Sequence, residues 1–337
     1  PRCATESGRL QAVNVPMNNL VLGSVVTLRR NFADLPFPSK MTPQQKEESV
    51  RRVAAAFKQD EQHLRQGEGN CPAAIVSAMR QKPHEAGIWF HYQQEEKSIC
   101  ALVNGLDSVV LGIQATPQNE QEAIGVLTKA EDAVFENYPA AYREEFGYLT
   151  AKPLQAGSGM QMHVLVHLPV ITSLKQIAAS AREIEGSDSC LVLPLSRNDG
   201  KNPSNLYHVV NMKTNYSDTH ELISHVYRAV QKLTNKEKLL AEKMFTNPQS
   251  ILHDQAHRAY GILKHAMRLN EREFLSLWSS LRMGAENRIL DCSLPFVDGL
   301  LRETADASKQ SDMNNYQRAE YIRTRLREEE NAVVRKI

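Results

Sequence analysis

The stretch GYLTAKPLQAGSGMQMHVLVHLP, residues 147–169, decides the fold. It joins a glycine-rich turn, LQAGSGMQ, to the segment MQMHVLVHLP, whose residues alternate as in a β-strand. A P-loop would need a lysine and a following helix, and a dinucleotide-binding fingerprint would also open a helix, so the turn is neither of these. Taken alone, the stretch predicts a tight loop that leads into a strand.

The rest of the chain predicts an α+β body of mostly antiparallel strands, followed by a helical segment. Further strands are predicted at LVLGSVVTL, SCLVLPLS and NLYHVVNM, and two more flank the Asn104–Gly105 turn signal in KSICALVNGLDSVVLGIQA. Helices are predicted over 42–66, 173–186 and 218–245, and VSAMRQK (76–82) is interpreted as a solvated helix face. The predicted domains are a polar lead-in (1–18), an α+β domain (19–245) and a helical domain (246–337).

Composition excludes several classes of protein. The 337 residues carry a net charge of +1, with 42% hydrophobic and 23% charged residues, which is ordinary for a soluble globular protein. No global field therefore attracts nucleic acid or an anionic membrane, and neither is expected as a partner. Five dispersed cysteines without a CxxC pair, and a start without a signal-peptide core, predict reduced thiols and a cytoplasmic location.

Two pairs of histidines could suggest a metal site. His253 and His257, in HDQAH, have the i, i+4 spacing of zinc ligands on a helix, but Asp254 replaces the glutamate of the zincin pattern and no third ligand follows. His163 and His167 lie on one face of the predicted 160–169 strand, without a partnering cluster of Cys, Asp or Glu. Both pairs are therefore interpreted as structural, and no metal is predicted.

Four blocks of the sequence resemble one family, the phosphagen (guanidino) kinases, and within it the bacterial protein-arginine kinases. The blocks are SVVTLRRNFADLPFP, the 147–169 stretch, HRAYGILKHAMRLNEREFLSLWSSLRMGAENRIL and NNYQRAEYIRTRLREE. The resemblance implies a guanidino-kinase catalytic domain, an antiparallel sheet flanked by helices, followed by a helical C-terminal domain. It also implies ATP-dependent phosphorylation of arginine as the ancestral reaction, and a link to a Clp protease.

The positions at which the family binds phosphate do not carry arginine here. The family's first strand has Ser-x-Arg-x-Arg, with both guanidinium groups facing the nucleotide, and the resemblance places these positions at Val25 and Thr27. The other three arginine positions fall at Val110, at Gln161 and, with weaker alignment, at about Leu193. Of the residues that follow in the first strand, Arg30 and Asn31 match the family's Arg-Asn pair, whereas Arg29 stands where a small residue is usual.

The carboxylate that would orient and deprotonate the attacking guanidinium is also missing. The family's Asn-Glu-Glu-Asp-His segment matches NGLDS (104–108), which places Gly105 and Leu106 at the glutamates and Ser108 at the histidine. An apolar Leu106 neither orients a guanidinium nor accepts its proton. Asp107 is expected to point to the other face of a strand and so not to replace it.

The free energies of the missing phosphate contacts favour loss of nucleotide binding. Each charge-assisted contact to phosphate is worth roughly 1.5 to 3 kcal/mol, so losing four or five removes on the order of 6 to 15 kcal/mol if the contacts are additive. A micromolar nucleotide complex is worth only about 8 kcal/mol in total. The alternative is that other cations replace the lost ones, and the candidates are Arg29, Lys152 (at the family's cysteine position), Arg197 and Lys201.

The C-terminal region departs from the family in the same way. The protein-arginine kinases carry a phosphoarginine-receptor pattern, Arg-Asp-x-x-Arg-Ala, whose match here is NNYQRA. Asn314 and Asn315 replace the Arg-Asp pair, and Arg318 is left as a remnant, interpreted as an exposed helix arginine. Tyr260, Leu263 and Met267 form an apolar stripe that either serves as an interface or packs the helical domain; packing is favoured for at least two of the three.

These observations predict a pseudokinase that acts as an interaction, scaffold or regulatory subunit in Clp-linked protein quality control. The expected partners are a like subunit, giving a homo-oligomer, an active kinase, an adaptor or a Clp component, and no cofactor is expected. Two alternatives stay open. One is a divergent active protein-arginine or guanidino kinase, which would use Mg-ATP, and the other is a protein that binds a different small ligand in the former ATP cleft.

Overall fold

The computed structural model describes residues 19–57, 64–79, 87–94, 97–116, 118–195, 201–216, 218–310 and 313–334. The predicted lead-in 1–18 lies outside these ranges. The chain divides into two compact units. Unit 1 comprises residues 1–166, 181–193 and 208–231, and unit 2 comprises 167–180, 194–207 and 232–337. The predicted domain boundary at 245/246 stays a prediction, because each unit is built from three separate ranges of the chain.

Ten strands lie in the described ranges. They are β1 (Val21–Arg30), β2 (Leu64–Gln66), β3 (Ile88–Gln94), β4 (Lys97–Val103), β5 (Val109–Ala115), β6 (Tyr142–Arg143), β7 (Gly147–Tyr148), β8 (Met160–His167), β9 (Cys190–Pro194) and β10 (Leu206–Asn211). Eight of them form one sheet in the order β2-β3-β4-β5-β1-β8-β10-β9, and β6 pairs with β7 separately. Every strand pair from β2 to β8 is antiparallel, which confirms the predicted fold class.

Strand β1 lies in the interior of the sheet, between β5 and β8. Its residues from Gly23 to Arg30 are all buried, because both faces of the sheet are covered. Side chains alternate between the faces, so Ser24 contacts one layer, where its hydroxyl donates to Glu120 Oε1 at 2.7 Å. Val25, Thr27 and Arg29 point to the opposite face. This alternation determines which residues line the candidate site.

Ten α-helices lie in the described ranges, and the last four of them make up the C-terminal region. They are α1 (Pro43–Phe57), α2 (Ala73–Met79), α3 (Glu120–Phe135), α4 (Pro169–Ser173), α5 (Ile177–Asp188), α6 (Thr219–Phe245), α7 (Ile251–His265), α8 (Glu271–Glu286), α9 (Leu294–Gln310) and α10 (Asn315–Val334). The prediction of a helical C-terminal segment from residue 246 is confirmed. No helix in the described part of the chain has the length and hydropathy needed to cross a membrane.

Three sequence predictions about these elements are wrong. The helix predicted over 42–66 is too long at its C-terminal end, because Leu64–Gln66 is strand β2 paired with β3. The strand predicted to reach residue 169 ends at His167, since Pro169 starts α4, a position that suits the fixed φ of proline. The VSAMRQK segment is not a solvated face, because Ala78 and Met79 are buried in α2.

The core of unit 2 is formed by its helices. Trp278 of α8 is fully buried, and its indole N–H donates to the Val297 carbonyl at 2.8 Å. His167 is also buried, and its Nε2 lies 2.8 Å from Ser279 Oγ while Nδ1 faces Arg282 Nη1 at 3.4 Å. The structural interpretation of His167 therefore agrees with its contacts, because both of its ring nitrogens have partners.

Of the three residues in the predicted apolar stripe, Tyr260 and Leu263 lie on α7, and Met267 follows its end. Leu263 is completely buried, and the Tyr260 hydroxyl donates to Glu330 of α10. Met267, by contrast, is 67% exposed. Two of the three side chains thus pack within the unit, as the sequence favoured.

A buried carboxylate, Glu237 of α6, joins α6 to the first turn of α4. It accepts the backbone N–H groups of Val170 and Ile171 at 2.7 and 2.8 Å. Burial raises the pKa of Glu237 from 4.5 to about 7, against the opposing effect of these two hydrogen bonds. The folded chain therefore binds more protons than the unfolded chain between these pH values.

We predict that the unfolding free energy falls as the pH rises from about 4.5 to 7, and that Glu237→Gln removes this component. The shift corresponds to an effect on the order of 3 kcal/mol. Urea denaturation of both proteins at half-unit pH steps measures it. Gln does not ionise and so resembles the protonated carboxyl group, and the wild type should therefore lose stability relative to the variant as the pH rises from 5 to above 7. A pH-independent difference would contradict the assignment.

Candidate functional site

One face of the sheet brings together the five positions that the resemblance assigns to phosphate-binding arginines. Val25 and Thr27 share this face of β1, and cross-strand pairing puts Gln161 of β8 beside Thr27. Val110 of β5 pairs with Arg29 and therefore points the same way. The hydrogen bonds from Leu195 N to the Leu206 carbonyl and from Met212 N to the Ser189 carbonyl place Leu193 opposite His208 on the same face.

The part of this face between β4 and β1 is an apolar core covered by α2. Val25 and Val110 are buried in one hydrophobic cluster with Ile75 and Met79 of α2. The helix lies so close to the sheet that a Cβ atom at Gly112 would come 2.5 Å from Met79 Sδ and 2.8 Å from Ile75 Cγ2. Two of the five positions are therefore sealed by packing, and a charged phosphate would have no partner there.

Where the face passes from β1 to β8, it is polar but neutral. Thr27 is fully buried and Gln161 is 7% exposed. The Gln161 amide has partners on both sides: its Oε1 accepts from Gln155 Nε2 at 2.9 Å, and its Nε2 donates to the Asn211 carbonyl at 3.2 Å. These contacts hold the side chain in place and use its hydrogen-bonding groups within the protein.

Arg29 is the cation on this face, and it makes internal contacts. Its side chain is 1% exposed. Nη2 donates to the Met79 carbonyl at the end of α2, at 3.2 Å. Nη1 lies 3.9 Å from Asp107 Oδ2. A guanidinium that already faces a buried carboxylate attracts a phosphate less strongly, because the positive and negative charges of the pair largely cancel as seen from the phosphate.

Asp107 is the centre of a network that joins β1 to two loops. Its Oδ1 accepts from Asn31 Nδ2 at 2.8 Å and from the backbone N–H of Ala151 at 2.6 Å. Asn31 Oδ1 in turn accepts from the backbone N–H and the hydroxyl of Ser108. The expectation that Asp107 points to the other face of a strand is wrong, because residues 104–108 form a bend between β4 and β5. Asp107 Oδ1 serves this network and Oδ2 lies 3.9 Å from Arg29 Nη1, while Leu106 is half-buried beside it.

The other proposed replacement cations do not join Arg29 on the face. Lys152 is exposed in the loop before β8. Lys201 is exposed in unit 2, where it lines a pocket of about 530 Å³ with Asn270, Arg272 and Glu273. Arg197 lies outside the described residues. Taken together, the apolar and neutral side chains at the five positions do not fit the phosphates of Mg-ATP.

Two buried histidines extend the face beyond Gln161. His163 of β8 pairs across the sheet with Val25. Its ring centroid is 5.7 Å from that of His208, in an edge-on arrangement. Burial lowers the pKa of His208 to about 4, and burial, His208 and Arg29 together hold the pKa of His163 well below its usual value. Both rings are therefore neutral at pH 7.

Histidines elsewhere and the receptor remnant have structural contacts. His253 lies against Phe245, with Nε2 3.2 Å from its carbonyl, while His257 is exposed on α7. The interpretation of Arg318 as an exposed helix arginine is wrong. It is 6% exposed, and it donates to the carbonyls of Leu269 and Met313 at 3.0 and 3.1 Å. Among the described residues, no group of three or more His, Cys, Asp and Glu side chains has a metal-binding arrangement.

Adding charge to the covered part of the face should cost stability. We predict that Val25→Arg lowers the unfolding free energy by about 3 to 5 kcal/mol, because it buries an unpaired guanidinium under α2. Leu193→Arg is the matched control, since it places arginine at another of the five positions, but one that is 43% exposed. We expect it to change stability by about 1 kcal/mol or less. Equal losses in chemical denaturation would show that α2 does not seal Val25.

Removing the charge of Asp107 should be costly for the same reason. We predict that Asp107→Asn destabilises the fold by about 3 kcal/mol or more, because Arg29 would keep a buried charge without its partner. Asp34→Asn breaks the corresponding contact to Arg52 at the surface, where the aspartate is 49% exposed, and should cost about 1 kcal/mol or less. A small loss for both variants in urea denaturation would rule out a structural role for the Arg29–Asp107 pair.

Comparison with known proteins agrees with this architecture. Residues 34–240 match the model of the ATP:guanido phosphotransferase C-terminal catalytic domain, and residues 249–336 match that of the protein-arginine kinase McsB C-terminal domain. Curated relatives named protein-arginine kinase include those of Clostridium acetobutylicum, 27% identical over 92% of this chain and 97% of the relative, and of Caldanaerobacter subterraneus, 25% identical over 93% and 98%.

Solved structures with the same fold include phosphagen kinases. A lombricine kinase superposes with a TM-score of 0.55 at 14% identity, covering 69% of this chain and 70% of its own. The duplicated taurocyamine kinase of Schistosoma mansoni, which carries bound transition-state analogue components, superposes with a TM-score of 0.54 at 15% identity. The superposition covers 71% of this chain and 36% of the taurocyamine kinase chain. At these identities the likeness concerns the fold, whereas the match over 34–240 shows the family. The chain belongs to the ATP:guanido phosphotransferase family.

Proposed function

We propose that this chain is a pseudokinase: a protein-arginine-kinase-like protein that has kept the fold of its family and lost the reaction. The observation that carries the proposal is the composition of one sheet face. Where the family would place phosphate-binding arginines, this face has Val25, Thr27, Val110, Gln161 and Leu193. Phosphoryl transfer depends almost entirely on charge neutralisation and positioning, so a face without these cations lacks the main source of catalysis.

The contacts of the remaining cation support this proposal. Arg29 lies on the correct face, but Asp107 and the Met79 carbonyl surround its guanidinium. Binding a nucleotide phosphate there would require Arg29 to give up buried partners, and the cost of leaving the Asp107 charge unpaired would offset the attraction between guanidinium and phosphate. Lysine at position 152 does not reproduce the bidentate recognition of arginine.

The position of the catalytic carboxylate supports it independently. The 104–108 bend is held by the Asp107–Asn31–Ser108 network, so its conformation is specified, and Leu106 is half-buried within it. A hydrocarbon side chain accepts no proton from a guanidinium. Loss of the base and loss of the phosphate contacts are separate defects, and repairing one leaves the other.

We further propose that the retained function is association with another protein in Clp-linked protein quality control. The partner would be a like subunit, an active kinase, an adaptor or a Clp component. Support comes from the family matches over both 34–240 and 249–336, because a chain that loses its chemistry but keeps both regions keeps the surfaces they present. A cytoplasmic location belongs to the same proposal.

Isothermal titration with Mg-ATP and with Mg-ADP tests the proposal at pH 7.5. We predict no measurable heat below about 1 mM ligand, with the Clostridium acetobutylicum protein-arginine kinase as the positive control. Leu106→Glu is a second test: restoring the carboxylate alone should produce no phosphoarginine on a test protein, because the phosphate contacts are still missing.

Micromolar nucleotide binding by the wild type would contradict the proposal. Phosphoarginine formed by the wild type and abolished by Arg29→Met or Lys152→Met would establish the alternative, an active kinase with relocated cations. Capture of a defined partner by the full chain, together with silent titrations, would support the role in association.

A further inference from the structure

The pair His163 and His208 has ring nitrogens that lack hydrogen-bond partners among the residues the structure describes. No described residue hydrogen-bonds His163 Nε2, His208 Nδ1 or His208 Nε2, although His163 is 7% exposed and His208 5% exposed. Buried polar groups nearly always have a partner in the protein, in ordered water or in a ligand. Three such nitrogens in one ring pair therefore indicate a partner beyond the described residues, such as ordered water or a ligand.

The histidine pair lies next to positions that the resemblance assigns to phosphate-binding arginines. His163 is the cross-strand neighbour of Val25, and His208 lies opposite Leu193, which are two of the five positions assigned to phosphate-binding arginines. Leu193 is 43% exposed, so this end of the face reaches solvent, whereas Val25 and Val110 are sealed by α2. Imidazole groups thus stand beside positions where fixed guanidinium charges are absent.

The surroundings disfavour a metal cation and favour an anion. Among the described residues, the fixed charge that acts on His163 is Arg29 of β1, which itself lies 3.9 Å from Asp107. The residues that α2 packs over Val25, which include Ile75, Ala78 and Met79, carry no charge. The positive charge of Arg29 disfavours a cation beside His163, and each imidazole can donate an N–H group to an oxyanion.

We propose that His163 and His208 form a proton-gated oxyanion site close to Arg29. The site binds sulfate, phosphate or a terminal phosphate group at mildly acidic pH and releases it at neutral pH. The inference rests on the proposed loss of fixed phosphate-binding charge. Titratable histidines replace permanent arginines, so the affinity of the face depends on protons.

Thermodynamic linkage determines whether anion binding becomes tighter or weaker as the pH falls. Without an anion, burial keeps both rings neutral: it lowers the pKa of His208 to about 4, and burial together with His208 and Arg29 lowers the pKa of His163. A bound anion favours the imidazolium form, so binding takes up protons and becomes tighter as the pH falls. Each proton taken up per anion strengthens binding by about tenfold per pH unit at full linkage.

Titration of the full chain with sodium sulfate tests this directly, because sulfate keeps a constant charge between pH 5 and 8. We expect at least tenfold tighter binding at pH 5.5 than at pH 7.5, at matched ionic strength with sodium chloride. Calorimetry in two buffers of different ionisation enthalpy gives the proton uptake, which should be between about one and two per sulfate. Equal affinity at both pH values, or no proton uptake by the wild type, overturns the proposal.

Variants assign the effect to the pair. His208→Gln and His163→Gln keep hydrogen-bonding side chains without a titratable ring, and each should reduce the pH dependence at least fivefold. His257→Gln, an exposed histidine of α7, is the matched control and should behave as wild type. If a variant fails to fold, proton uptake by the wild type alone decides the outcome.

A parallel titration with ADP separates the free ion from a nucleotide phosphate. Binding of both at pH 5.5 indicates that the site admits a terminal phosphate, and binding of sulfate alone restricts it to the free ion; both outcomes support a proton-gated site. Failure here is distinct from failure of the pseudokinase proposal, which nucleotide binding at pH 7.5 decides.

Discussion

The buried carboxylate of Asp107 is the contact on which the arrangement of the candidate site depends. It ties the end of β1, through Asn31, to the 104–108 bend and to the backbone of the loop before β8. It also supplies the negative charge that allows Arg29 to be buried beneath the sheet face. Without it, a buried guanidinium would carry the full cost of desolvation, and three segments of chain would lose their common anchor.

The side chains of β1 alternate between the two faces of the sheet, so that one face contributes to the structural core and the other to the candidate site. Ser24 on one face bonds Glu120, which also accepts from the Tyr227 hydroxyl, and this face belongs to the structural core. Val25, Thr27 and Arg29 on the other face contact α2, β5 and β8. Because a strand's side chains have a period of two, the residues at 25 and 27 determine one surface of the sheet and do not line the opposite layer.

The sequence was sufficient for the fold and for the positions of the candidate site, since strand alternation and the resemblance around 147–169 depend on local pattern. It was insufficient for the contacts. The burial of Arg29 and Arg318 could not be predicted, because a polar residue near an element's end is usually exposed, and only tertiary packing supplies the carbonyls that they bond.

Helix α2 was misinterpreted because VSAM is short. Its covering role depends on β4, β5 and β1, which are distant in sequence or paired only in the fold. The His163–His208 contact likewise joins residues 45 positions apart, and a single sequence gives no signal for it.

The close approach of α2 at Gly112 has a consequence for how such a protein changes over time. Once Val25 and Val110 have packed beneath Met79, an arginine at either position meets a filled, uncharged space instead of a cleft. A single reversion would first weaken the fold, and its charge would contribute nothing until α2 moved and further arginines appeared. Under the proposed loss of nucleotide binding, intermediates on the way back would therefore be less stable than either end point, so that the loss would be hard to reverse one substitution at a time.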